Sequence, residues 1–317
     1  MYMADIFTLF PGQGSQKVGM GRDLFERHPL AKELFDRADK ALGFQLSQIC
    51  FEGPSEKLTL TEIAQPAILT VSTICFELAR HRPSTTDRIV AAAGHSLGEY
   101  SALVAADAIE FEDAVALVNK RGRYMQEAVP VGTGKMVAVL GKEVADVESV
   151  LAQVEGEVAE IANVNAPGQI VVAGSVAGVN QFVEKLGTAK VIELQVSAPF
   201  HCTLMKPAEE RLRGDLASIK IQKPAFPVYQ NFTAQCSDDP EAIRENLALQ
   251  VCGRVRWVEC VQNAIKERSP SAGWEYGAGN VLTGLLKRID SSLARVNIDA
   301  ADSLEKELPT SATTTAA

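Results

Sequence analysis

Apolar residues recur along this chain in two rhythms. Compact apolar runs at residues 6–10 (Ile-Phe-Thr-Leu-Phe) and 88–93 (Arg-Ile-Val-Ala-Ala-Ala) read as short strands. Stretches with three- and four-residue spacing read as amphipathic helices over 21–28, 30–41, 64–81 and 112–128, with Pro29 and Pro83 as punctuation. A helix-forming stretch, 99–106, follows the second strand after only five residues.

The middle of the chain changes character. Strands are expected at 135–140, 158–164, 169–173 and 191–196, and helices at 144–153 and 176–186, with a turn at 165–168. That order, βαββαβ, is the ferredoxin-like split βαβ arrangement. It predicts a small domain, residues 130–197, inserted into a larger α/β domain made of residues 1–129 and 198–300. The last stretch, 301–317, is small and polar and is expected to be a flexible tail.

Length and composition narrow the choices. The 317 residues suggest about two domains and a substantial core. A net charge of −9 argues against general nucleic-acid binding, which needs a basic footprint. The six cysteines form no CxxC pair and no zinc-ligand spacing, so they read as reduced thiols, with no metal expected. No apolar run approaches the roughly 20 residues that span a bilayer, and no signal-like segment opens the chain. The expectation is a cytoplasmic protein, not a membrane protein, and a monomer.

The chemistry concentrates at Gly94-His95-Ser96-Leu97-Gly98. Strand, Gly-x-Ser-x-Gly, then helix is the context of a nucleophile elbow, which lifts a serine hydroxyl above the sheet edge. A plain β-to-α turn with a capping serine remains the competing reading. A serine nucleophile needs a base, and only His28, His81, His95 and His201 are available. His28 and His81 read as helix-end residues. His95 adjoins Ser96, but successive side chains in an elbow point apart, so it suits the pocket wall better than the base. His201 follows Pro199 in a loop just after the βαββαβ unit closes, and it is the preferred base. The loop 11–16 (Pro-Gly-Gln-Gly-Ser-Gln) is rich in backbone donors but lacks the third glycine of a dinucleotide loop.

These motifs together resemble the malonyl-CoA:acyl carrier protein transacylases. The similar segments are 94–103 (Gly-His-Ser-Leu-Gly-Glu-Tyr-Ser-Ala-Leu), 11–16, 121–126 (Arg-Gly-Arg-Tyr-Met-Gln), 164–169 (Val-Asn-Ala-Pro-Gly-Gln), 199–202 (Pro-Phe-His-Cys) and 281–285 (Val-Leu-Thr-Gly-Leu). They run in order from about residue 6 to 298. The resemblance implies an α/β-hydrolase-like large domain with the ferredoxin-like insertion. It implies that Ser96 accepts the malonyl group and His201 serves as base, with the Gln13 and Leu97 amides as oxyanion hole. Arg121 would grip the free carboxylate, since a planar guanidinium can hold one with two parallel bonds. Read without the resemblance, Arg121 is a helix-surface charge. The backbone carbonyl of Gln250 would orient the histidine in place of a triad acid. Phe200 would crowd a 2-methyl branch or serve only as core packing. Asn165 either lines the pocket or is an ordinary turn residue.

The activity so implied is malonyl transfer from malonyl-CoA to holo acyl carrier protein through a malonyl-serine, without a cofactor, in fatty acid or polyketide synthesis. Lys185, Lys190, Lys287 and Arg288 are candidate contacts for an acidic carrier protein. The rivals are a carrier-protein thioester hydrolase, a transacylase for another acyl unit, and a non-catalytic docking subunit. The chain departs from the family pattern at 251–257 and has alanine at 278 where many members have proline.

Overall fold

A computed structural model describes residues 4–82 and 88–309. In chain order, β1 (Asp5–Phe10) leads into α1 (Arg22–Arg27), α2 (Pro29–Leu42), α3 (Leu46–Glu52), α4 (Ser55–Thr59) and α5 (Thr61–Arg80). β2 (Arg88–Gly94) turns directly into α6 (Gly98–Ala105), and α7 (Phe111–Glu127) follows. Next come β3 (Gly134–Leu140), α8 (Val144–Leu151), β4 (Ala159–Ala166), β5 (Gln169–Ser175), α9 (Val176–Leu186) and β6 (Lys190–Glu193). The remainder is α10 (Lys206–Ser218), β7 (Val228–Tyr229), α11 (Pro240–Leu249), α12 (Trp257–Arg268), β8 (Ala272–Tyr276), α13 (Val281–Ile289), β9 (Ala294–Ile298) and α14 (Ala301–Glu307).

The strands build two sheets. A five-stranded parallel sheet has the order β7-β2-β1-β8-β9. Its central strand is apolar at Ile6, Phe7, Leu9 and Phe10, all buried, because helices cover both faces of a parallel sheet. A four-stranded antiparallel sheet has the order β4-β5-β3-β6. α8 and α9 pack with it around Val137, Val139, Ile161, Val172, Val179 and Phe182. Two backbone bonds join the edge of β4 to the segment after α11. Val164 N–H donates to the Val255 carbonyl at 3.0 Å, and Val255 N–H to the Ala162 carbonyl at 2.8 Å.

The mixed α/β class and the βαββαβ order are as expected, with boundary shifts of a few residues. Four findings differ. α3 and α4 go unanticipated, because segments of seven and five residues carry too few turns to display a period. The last strand of the antiparallel sheet stops at Glu193 rather than reaching residue 196. The expectation that no segment is long and apolar enough to cross a membrane is corrected by α5, which is both by length and composition. α5 is apolar on nearly every side because it is enclosed by the rest of the protein.

The fourth difference concerns the end of the chain. Residues 301–309 do not read as a flexible tail, because α14 buries Ala301 and Leu304 in the main apolar cluster. Its first amide donates to the Asp23 carboxylate at 2.6 Å, and Glu305 pairs with Arg82 at 2.7 Å. Residues 310–317, and Pro83, lie outside the described residues.

Close backbone approach between β1, β2 and α6 sets a local demand for glycine. A β-carbon at Gly98 would run into the Phe10 carbonyl, and one at Gly94 into the backbone of Gly98. Gly98→Ala should therefore cost at least about 2 kcal/mol in chemical denaturation, as overpacking does. Gly214→Ala, on α10 where a β-carbon meets nothing, should be neutral or stabilise by about 0.5–1 kcal/mol. Equal effects at the two positions would refute this account of the elbow.

Candidate active site

The turn between β2 and α6 carries Ser96 in the left-handed region, with φ +52°. Few non-glycine residues adopt it, and surrounding bonds must hold it there. Asn231 does so from across the sheet. Its Oδ1 accepts from the Ser96 amide at 2.6 Å, and its Nδ2 donates to the Gly94 carbonyl at 2.8 Å. The His95 amide adds a bond to the Phe10 carbonyl at 3.0 Å.

His201 meets the serine from the loop between the antiparallel sheet and α10. Its Nε2 lies 2.7 Å from Ser96 Oγ, and its Nδ1 lies 2.9 Å from the Gln250 carbonyl oxygen. A carbonyl can only accept, so Nδ1 carries the proton and Nε2 is left to receive one from the serine. His201 also has a positive φ, +61°. It is 4% exposed, so it is not a solvated loop side chain. Burial, then the Arg121 charge, push its pKa down to about 3. The imidazole is therefore neutral and ready to act as a base across the physiological range.

Arg121 is not a surface charge either, being 1% exposed on α7. Nη1 donates to Gln65 Oε1 at 2.8 Å, and Nη2 donates to Gln250 Oε1 at 2.9 Å and Ser96 Oγ at 3.2 Å. The guanidinium carbon lies 5.4 Å from the centroid of the Tyr100 ring. Among the described residues its Nε has no acceptor and no carboxylate pairs with it. Burial lowers its pKa, the direction expected for a cation held among neutral groups.

Gln250 thus serves four groups. Its backbone carbonyl holds His201, its Oε1 holds Arg121, and its Nε2 donates to the Ser96 carbonyl at 3.0 Å and to Glu99 Oε2 at 2.7 Å. Leu97 is the N-cap of α6, and the Gln13 side chain reaches Thr61 at 3.4 Å. Among the described residues the backbone amides of Gln13 and Leu97 have no acceptor of their own. Both remain available to a ligand oxygen.

The other candidates are placed differently from one another. His95 and Asn165 are hydrogen-bonded together, Nε2 to Oδ1 at 2.8 Å. Asn165 lies in β4 rather than in the turn after it, so this contact links the elbow to the antiparallel sheet. His95 also packs 5.6 Å from the Trp257 ring. Phe200, 8% exposed, belongs to the main apolar cluster. Arg288 donates to the Pro167 carbonyl at 2.8 Å and to Gln169, which ties α13 to the β4–β5 turn. A cavity of about 390 Å³ reaches His201 and is also lined by Glu160, Ile161, Cys252 and Arg254. Among the described residues no group of three or more His, Cys, Asp or Glu is arranged to hold a metal.

Three residues at the site escape the sequence reading: Gln65, Glu99 and Asn231. Gln65 sits inside an apolar helix stretch and Asn231 in an irregular segment, so neither shows a pattern. Glu99 is visible inside the elbow segment, but nothing in one sequence separates it from an exposed first-turn acid.

The depressed His201 pKa has a measurable consequence. Labelling of Ser96 by phenylmethylsulfonyl fluoride should stay nearly level from about pH 8 to about pH 5 and fall only well below that. An acid limb centred at the ordinary imidazole value of about 6.5 would contradict it.

Comparison with known proteins identifies the family of the chain. Residues 7–298 match the acyl transferase domain family. The malonyl CoA-acyl carrier protein transacylase of Bacillus subtilis (strain 168) is 43% identical over 313 residues, covering 97% of this chain and 98% of that protein. The Escherichia coli (strain K12) protein of the same name is 40% identical over 299 residues, covering 92% and 94%. The solved malonyl CoA-acyl carrier protein transacylase of Coxiella burnetii superposes with a TM-score of 0.93 at 38% identity, covering 98% and 99%. A malonyl-transacylase solved in complex with its type II polyketide acyl-carrier protein superposes with a TM-score of 0.91 at 38% identity, covering 96% and 99%. With the match running nearly end to end, the chain belongs to the acyl transferase domain family.

Proposed function

We propose that this protein is a malonyl-CoA:acyl carrier protein transacylase. The observation that carries the reading is the Arg121 guanidinium, buried beside Ser96 Oγ with no protein carboxylate paired to it among the described residues. A buried cation without a counter-charge is costly, and a substrate carboxylate supplies the missing charge. Malonyl thioesters carry one at the end opposite the reacting carbonyl. The relatives named for this reaction support the same choice.

The reaction proceeds in two displacements. Malonyl-CoA enters with its carboxylate toward Arg121. Ser96 Oγ attacks the thioester carbon while His201 Nε2 takes the hydroxyl proton. The carbonyl oxygen gains negative charge and is met by the Gln13 and Leu97 amides. The C–S bond then breaks, and His201 returns the proton to the departing CoA sulfur. In the second half the phosphopantetheine thiol of the carrier protein gives its proton to Nε2 and attacks the malonyl-serine ester. The serine recovers the proton as it leaves. The exchange is redox-neutral, and the proton inventory closes on His201 alone.

The fold has a matching finer reading. The small-sheet order, β4-β5-β3-β6 over a βαββαβ chain, supports a ferredoxin-like insertion over residues 130–197. The parallel sheet and its elbow support an α/β-hydrolase-like domain assembled from residues 1–129 and 198–300. Phe200 would limit the room for a 2-methyl branch, a discrimination worth about 1–3 kcal/mol.

Intact-protein mass after mixing with malonyl-CoA tests the covalent step. Wild type should gain a malonyl group and pass it to holo carrier protein, and Ser96→Ala should gain none. An adduct that survives on the alanine variant would reject Ser96, and loss of the acyl group to water faster than to carrier protein would favour a hydrolase. Arg121→Ala should lower kcat/KM for malonyl-CoA about a hundredfold or more, the scale of truncating a buried charge pair. The same variant should lose much less with acetyl-CoA, which has no carboxylate to grip. An equal loss with both substrates would rule out this role for the arginine.

A further inference from the structure

Glu99 is 0% exposed, yet it pairs with no cation among the described residues. Its contacts are all neutral donors. Oε2 accepts from the Asn231 amide at 2.8 Å and from Gln250 Nε2 at 2.7 Å, and Oε1 is approached by Gln230 Nε2 at 3.4 Å. Burial pushes its pKa up to about 7. A buried carboxyl in these surroundings is expensive to keep. An apolar residue of similar size would avoid that cost but leave the buried Asn231 amide unpaired, so the oxygen itself has a use.

The two residues bonded to Oε2, Asn231 through its backbone amide and Gln250 through its side chain, are the two whose side chains pin the Ser96 peptide. Asn231 accepts from the Ser96 amide, and Gln250 donates to the Ser96 carbonyl. Gln250 has only one workable amide orientation here. Turned over, its oxygen would face two acceptors, Glu99 Oε2 and the Ser96 carbonyl, and its nitrogen would face the Arg121 donor. We propose that Glu99 is a positioning residue for the acyl transfer. Its Oε2, acting as an acceptor, sets the Gln250 amide and anchors Asn231, and through them it holds Ser96 and Arg121 in register.

The role belongs to the acceptor oxygen rather than to the negative charge. A protonated Glu99 places its proton on Oε1 and leaves Oε2 accepting both bonds. A glutamine at the position offers the same oxygen to Asn231 and Gln250. A methionine of similar length offers none and leaves the Asn231 amide unpaired inside the protein.

This inference rests on the transacylase reading, and the wild-type malonyl adduct keeps the two apart. If wild type forms no adduct, the transacylase reading falls. If wild type does form it, the following variants judge Glu99 alone. Steady-state transfer and unfolding temperature are measured for Glu99→Gln, Glu99→Met, Gln250→Leu and the Met/Leu double variant, with rates expressed per folded enzyme. Glu99→Gln should keep kcat within about threefold of wild type. Glu99→Met should lose tenfold or more in kcat, with a much smaller change in KM for malonyl-CoA because Gln65 still holds Arg121. Gln250→Leu, which keeps the carbonyl on His201, should show a loss of similar size. The double variant should lose little beyond Gln250→Leu, since residues acting through one another are non-additive.

Several results would overturn the proposal: wild-type kcat in Glu99→Met, an equal loss in Glu99→Gln and Glu99→Met, or losses that multiply in the double variant. Should Glu99→Met fail to fold, Gln250→Leu decides, because wild-type kcat there removes the link through Gln250 and overturns the proposal as stated.

Discussion

A positive charge sealed inside the protein, 3.2 Å from a serine oxygen and facing only neutral partners, organises everything around it. It adds to burial, the larger effect, in keeping His201 neutral, because a second cation nearby would be repelled. It holds one side of Gln250, whose other atoms reach the serine and the histidine. It also leaves a vacancy of charge that an acid-tailed thioester can fill. In the proposed reaction, catalysis and selection of the acyl group therefore draw on the same side chain.

Among the described residues no third acid completes the serine–histidine pair. A main-chain carbonyl occupies that position at 2.9 Å from Nδ1. The substitution suits the chemistry, since a thiolate leaves more readily than an amine and demands less of the imidazolium. A carboxylate directly behind His201 would also pair with the Arg121 field and weaken its pull on the substrate. The Glu99 carboxyl stands behind Gln250 rather than behind His201.

Much of this was legible in the sequence where the physics is local. Gly94 and Gly98 bracket Ser96 because backbone crowding admits no β-carbon, so the elbow shows in five letters. The βαββαβ unit shows because alternation of period two and period 3.6 survives in short segments. His201 emerges by elimination among four histidines. The rest depends on distant partners. Arg121 reads as a surface residue by its helix position, and only the packing of α5, α6 and α11 around it encloses it. Asn231 reaches Ser96 across 135 positions of chain, and no local pattern announces such a contact. α14 hides in a polar stretch because two apolar residues, Ala301 and Leu304, suffice to dock one short helix.

The seam where β4 shares main-chain bonds with the stretch that follows Gln250 has a mechanical meaning. Arg288 fastens the far end of the same strand, and His95 clasps its Asn165 from the elbow. A strand stitched at its edge, its tip and its face resists opening like a jaw, since any swing of the antiparallel sheet away from the elbow would first have to break these bonds.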